Sequence, residues 1–100
     1  MTENDASQIF QLHATIHGRV QGVGFRAFVE QTAHHLNLRG WVRNRWDDTV
    51  ETAAEGSRPA LEQFLAALYR GPRSSNVTDV DFDWHPGTGE FKDFRVRMTE

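Results

Sequence analysis

Between Phe10 and Leu36 the spacing of apolar residues changes from two to about 3.6 across a loop carrying three glycines, so a half-exposed strand must run directly into a helix. Phe10, Leu12, Ala14 and Ile16 share one face of the first stretch, and Gln11, His13, Thr15 and His17 share the other. After Gly18, Gly22 and Gly24, the residues Phe25, Phe28, Val29, Thr32, Ala33 and Leu36 recur along one helical face. Asn37 can close that helix in a left-handed conformation.

Trp41–Arg45 and Thr49–Glu55 read as two short strands joined by Trp46-Asp47-Asp48, a hairpin in which a primed turn would put Asp48 at positive φ. Ser57 is placed to cap a second helix, with Pro59 in its first turn and Leu61, Phe64, Leu65 and Leu68 as its buried stripe; Gly71-Pro72 stops it. Val80, Phe82 and Trp84 alternate with Asp79, Asp81 and Asp83 in a fourth strand. Phe94, Val96 and Met98 alternate with Arg95 and Arg97 in a fifth, with Gly87-Thr88-Gly89 turning between them. The order βαββαβ plus a short C-terminal strand is that of an α+β, ferredoxin-like split βαβ sandwich. With one apolar face per strand, a mostly antiparallel sheet should carry both helices on one side and leave the other wet. Residues 1–7 are expected to form a flexible tail, and residues 8–100 one domain.

One hundred residues support a single core but no separate cofactor domain, so an active site here must be built from few side chains. The chain has no Cys, which excludes thiolate nucleophiles, disulfides and Cys-based zinc sites. Its formal charge is −3 with Lys and Arg scattered among acids, so neither nucleic acid nor an anionic membrane is attracted globally. No apolar run approaches the length of a membrane span, and Met1–Ser7 lacks the pattern of a signal peptide. A cytoplasmic monomer without metal or other cofactor is expected.

Gly22-Val23-Gly24-Phe25-Arg26-Ala27 fits the dinucleotide pattern G-x-G-x-x-A. Dinucleotide binding is rejected, because a doubly wound sheet needs strands buried on both faces and two mononucleotide halves. What remains is an anion site, since converging N–H groups and a helix N-terminus carrying about half a positive charge favour a phosphate-sized ligand. Arg26 points the same way: a cation in the first helical turn opposes the dipole unless an anion compensates it, and its guanidinium offers a fork to two phosphate oxygens.

The run Gly18-Arg19-Val20-Gln21-Gly22-Val23-Gly24-Phe25-Arg26, followed by Gly40-Trp41-Val42-Arg43-Asn44 and Val50-Glu51, resembles the acylphosphatase family. The similarity extends to Phe94-Arg95-Val96-Arg97, and that family's ferredoxin-like fold agrees with the element order. The resemblance implies hydrolysis of acyl phosphates, with the phosphate bound by Arg26 and the loop Gln21, Gly22, Val23, Gly24, Phe25 and Arg26, and the nucleophilic water oriented by Asn44. Asn37 and Asp48 stand where the family commonly has Gly, both at backbone turns. The partners expected are an acyl phosphate substrate and phosphate product.

Two other readings keep the same topology: an accessory domain that binds phosphate or carbamoyl-phosphate-type ligands, and a regulatory or RNA-binding module that uses the open sheet face. The acidic balance opposes base stacking by Trp41, Trp46 and Trp84. His13, His17, His34 and His35 read as solvated side chains, and Asp79, Asp81 and Asp83 as a solvated row without calcium-loop spacing.

Overall fold

The computed structural model describes residues 8–100; the tail expected over residues 1–7 lies outside them. The elements follow in the anticipated order: β1 (Phe10–Arg19), α1 (Phe25–His35), β2 (Arg39–Asn44), β3 (Val50–Gly56), α2 (Arg58–Arg70), β4 (Asn76–Pro86) and β5 (Phe94–Val96). The strands form one sheet in the order β4-β1-β3-β2-β5. β1 pairs antiparallel with β3 and β4, β2 pairs antiparallel with β3, and β5 lies parallel to β2 on its outer edge. This is the ferredoxin-like α+β arrangement.

Alternation fixes which face is buried. Leu12, Ala14 and Ile16 of β1, Val42 of β2 and Val50 and Ala54 of β3 join Phe25, Val29 and Ala33 of α1 and Leu61, Phe64 and Leu68 of α2 in one core. Both helices therefore cover the same side of the sheet. Ser57 caps α2 by accepting from the Ala60 N–H at 3.3 Å, and Pro59 occupies its first turn. Asn37 has φ 58, and the N–H groups of Asn37 and Leu38 reach the carbonyls of His34 and Ala33 at 3.1 and 2.8 Å. That pair of bonds is a Schellman motif, closed by the buried Leu38.

Three expectations are modified. The hairpin turn is not primed: the Asp48 N–H bonds the Arg45 carbonyl at 3.2 Å, and only Asp48, with φ 73, is left-handed among the loop residues. A three-residue loop of this kind follows an ordinary turn with one left-handed residue, so Asp48 has positive φ for a different reason. The apolar alternation of edge strand β4 is only partly buried: Val80 is 4 % exposed and Trp84 packs against the core, but Phe82 between them is 41 % exposed. The open face is wet only in part, since Glu51 and Glu55 lie buried on it at 8 % and 4 % exposure, held by the hydrogen-bond networks described below.

Candidate active site

The loop between β1 and α1 is built from local backbone chemistry. Gly22 and Gly24 have φ 74 and 79, and a Cβ at either would meet nothing within 4 Å, so conformation and not space calls for glycine. Gly24 is the N-cap of α1, with no side-chain cap and no acid in the first turn. The first N–H groups of α1 thus have no intrahelical acceptor, and the Phe28 N–H is the one that returns to the Gly24 carbonyl, at 3.0 Å. Phe25 anchors this helix start in the core at 1 % exposure, which points Arg26, its neighbour, outward.

Asn44 arrives on β2, separated from β1 by β3 alone. It is the last residue of β2, pairs with Val50, and shares the helix-facing side with Gly40 and Val42. Its neighbours Arg43 and Arg45 fall on the opposite face, where Glu51 holds both: Arg43 Nε and Arg45 Nη1 each donate to Glu51 Oε1 at 2.9 Å. His13 Nε2 lies 2.6 Å from Glu51 Oε2. Burial pushes the Glu51 carboxyl up, but the hydrogen bonds from His13, Arg45 and Arg43 outweigh it and hold the group below its ordinary value. The Arg45 guanidinium is raised by its hydrogen bond to Glu51. Two cations flanking Asn44 are in this way drawn to the far face of the sheet.

Gly22, Gly24, Phe25, Arg26 and Asn44 line one cavity of about 330 Å³, completed by Val20, Ala27, Glu30 and Val96. Of the sequence-derived site residues, Gln21 and Val23 do not line it. The Gln21 side chain turns instead to the hairpin, where its Nε2 donates to the carbonyls of Arg45 at 2.7 Å and Thr49 at 2.9 Å. Arg26 takes part in none of the ion pairs among the described residues. A larger cavity of about 640 Å³ runs along β5 and the C-terminal segment. It contains none of the site residues, and its lining mixes Glu90, Asp93 and Glu100 with Lys92, Arg95 and Arg97. No group of three or more His, Asp and Glu among the described residues is arranged to hold a metal ion.

Val20, Ala27, Glu30 and Val96 line the cavity without having been assigned to the site by sequence reasoning. Glu30 follows Arg26 by one helical turn, so helix spacing could have placed the two together. Val96 reaches the cavity because β5 pairs parallel to β2, with Val42 opposite it. No local pattern encodes that pairing. The cavity combines open backbone donors, a guanidinium in no ion pair among the described residues and a carboxamide, which suits it to hold a tetrahedral anion and one water.

Residues 12–96 match the model of the acylphosphatase family. The chain is 47 % identical over 87 residues to the acylphosphatase of Salinibacter ruber, covering 87 % of this chain and 92 % of that protein. Its fold matches the crystal structure of acylphosphatase from Bacillus subtilis with a TM-score of 0.85 and 40 % identity, over 88 % of this chain and 98 % of that one. It also matches a part of full-length HypF, solved in a phosphate- and nucleotide-bound form, with a TM-score of 0.84 and 32 % identity. That match spans 93 % of this chain but 12 % of HypF.

Proposed function

The chain belongs to the acylphosphatase family and hydrolyses acyl phosphates, and from that premise we propose that Arg26 and the loop Gln21–Arg26 hold the phosphoryl group while Asn44 orients the attacking water. The observation that carries this reading is the single cavity shared by Gly22, Gly24, Arg26 and Asn44. The chemistry needs little more. An acyl phosphate expels a carboxylate whose conjugate acid has a pKa of about 4, so the leaving group requires no proton at neutral pH. Transfer through a loose transition state is accelerated chiefly by positioning and by stabilising charge on the equatorial oxygens.

In this account the Arg26 fork and the N–H groups at the start of α1 neutralise the phosphoryl oxygens. The Asn44 carboxamide accepts from and donates to one water and sets its line of attack. The water oxygen bonds phosphorus as the bond to the acyl oxygen breaks, and the proton of the water passes to a phosphoryl oxygen. Gly22 and Gly24 suit the phosphoryl end of the cavity. Ala27, Glu30 and Val96 would then border the acyl tail, with no donor set specific to one acyl group.

The accessory-domain reading draws on the match to a part of HypF, yet the relatives matched over nearly their whole length are named as the enzyme. The net charge of −3 and the ion-paired open face speak against an RNA-binding module. The deciding experiment is release of inorganic phosphate from acetyl and benzoyl phosphate with a metal chelator present. Turnover that persists with chelator supports the reading, and none with any acyl phosphate would refute it.

A further inference from the structure

Gln21 belongs to the glycine loop by sequence, but its side chain is committed elsewhere. An amide nitrogen has two N–H groups, and the two acceptors within reach of Gln21 Nε2 are the carbonyls of Arg45 at 2.7 Å and Thr49 at 2.9 Å. With both donors used, this carboxamide has none left for a phosphoryl oxygen. Its acceptors flank the three-residue turn, and they are joined to each other by the last rung of the hairpin, Arg45 N–H to the Thr49 carbonyl at 2.9 Å. Arg45 directly follows Asn44.

We infer that Gln21 is a positioning residue, whose carboxamide ties the glycine loop to the hairpin end and thereby fixes Asn44 relative to Arg26. The inference rests on the roles given to Arg26 and Asn44 above. The loop has two left-handed glycines, Gly22 and Gly24, and while Val20 and Val23 pack on the core, it is the Gln21 side chain that bonds it to the hairpin. Asn44 sits at the end of its strand, where the hairpin turns away. The Gln21 bonds span 24 and 28 residues of sequence and join the loop and the strand end into one unit. Because both acceptors are main-chain carbonyls, the tie sets the position of the backbone itself. A displacement of about 1 Å between reacting groups can cost on the order of a hundred-fold in rate.

The test is a double-mutant cycle of Gln21→Met, which keeps length but removes both donors, with Asn44→Ala. The turnover number on benzoyl phosphate, competitive inhibition by inorganic phosphate, and the thermal midpoint are read for each protein. Gln21→Met should lower kcat by on the order of ten-fold or more, with phosphate inhibition within a few-fold of the parent. In the Asn44→Ala background the same change should cost almost nothing further, because the group it positions is gone. Gln21→Asn, one methylene shorter, serves in the same cycle if the Met variant does not fold. Normal turnover in Gln21→Met beside a crippled Asn44→Ala would overturn the tie alone. A defect that multiplies independently with Asn44→Ala, or that lies wholly in phosphate affinity, would also overturn it. Normal turnover in Asn44→Ala would remove the Asn44 assignment itself, and the inference with it.

Discussion

At Arg26 the helix carries a cation where its dipole favours an anion, and the guanidinium has no ion-pair partner among the described residues. A bound phosphoryl group would resolve that conflict. Arg26→Gln should therefore abolish both turnover and competitive inhibition by phosphate while the thermal midpoint stays near that of the parent. Arg26→Lys should recover only part of the loss, since a point charge lacks the fork. Phosphate inhibition that survives in the Gln variant would take Arg26 out of the site. Asn44 predicts a different kinetic signature. If it orients water and makes little contact with the ground-state phosphate, Asn44→Ala should cut kcat by about a hundred-fold, worth about 3 kcal/mol, with phosphate inhibition within a few-fold. Asn44→Asp should fail too, because a carboxylate cannot donate and repels the phosphoryl group. A defect confined to KM would contradict the role. Arg26 stands out in the sequence by its charge at the helix start, whereas Asn44 is singled out only through the family resemblance. Gln21 was identifiable only as part of the loop, because the direction of its carboxamide depends on carbonyls 24 and 28 residues away.

The elements that present these residues end in local motifs, and here much could be read in advance. Asn37 closes α1 in the left-handed region because the last helical carbonyls need partners within a few residues, a requirement contained in the neighbouring sequence. The β2–β3 turn was legible in position but not in type. Asp47 Oδ1 accepts from the Thr49 N–H at 3.2 Å and from its hydroxyl at 2.6 Å, which stabilises an ordinary turn and leaves Asp48 as the left-handed residue after it. Those Thr49 bonds also hold the Asp47 carboxyl below its usual range. Asp48 bears the conformational strain without serving the site. Asp48→Gly is expected to raise stability by about 0.5–1 kcal/mol in chemical denaturation, with unchanged activity, through relief of a Cβ at positive φ. A lower midpoint for the Gly variant would mean that the Asp48 side chain stabilises the turn more than its backbone strains it.

At the scale of the molecule, two buried carboxylates join elements across the open face of the sheet. Glu51 binds His13 of β1 and both Arg43 and Arg45 at the end of β2. Glu55 accepts from Gln11 of β1 at 2.7 Å and from the Thr88 and Gly89 N–H groups at 2.9 Å. Burial raises each carboxyl, but these hydrogen bonds win, so both fall below the ordinary 4.5. A depressed folded pKa contributes stability above the unfolded value and loses it as pH falls through the folded one. The thermal midpoint should accordingly drop as pH is lowered from about 4.5. Glu51→Gln should be less stable at pH 7 by about 1–3 kcal/mol and show a shallower acid decline. An acid profile identical to the parent would exclude Glu51 from that transition. The wet face expected from strand alternation was thus right in its polar residues, but their pairing was invisible, because alternation gives the face of a residue and not its neighbour. The same division holds throughout this protein. By itself the sequence determined the order of elements, most of the buried faces, the caps and the glycines of the loop before α1, since these depend on residues within a turn or two of one another. Only the tertiary structure decided that Asn44 shares a cavity with Arg26, that β5 brings Val96 to it, and that Gln21 bonds the hairpin, since strand order and register bring together groups that no local spacing relates.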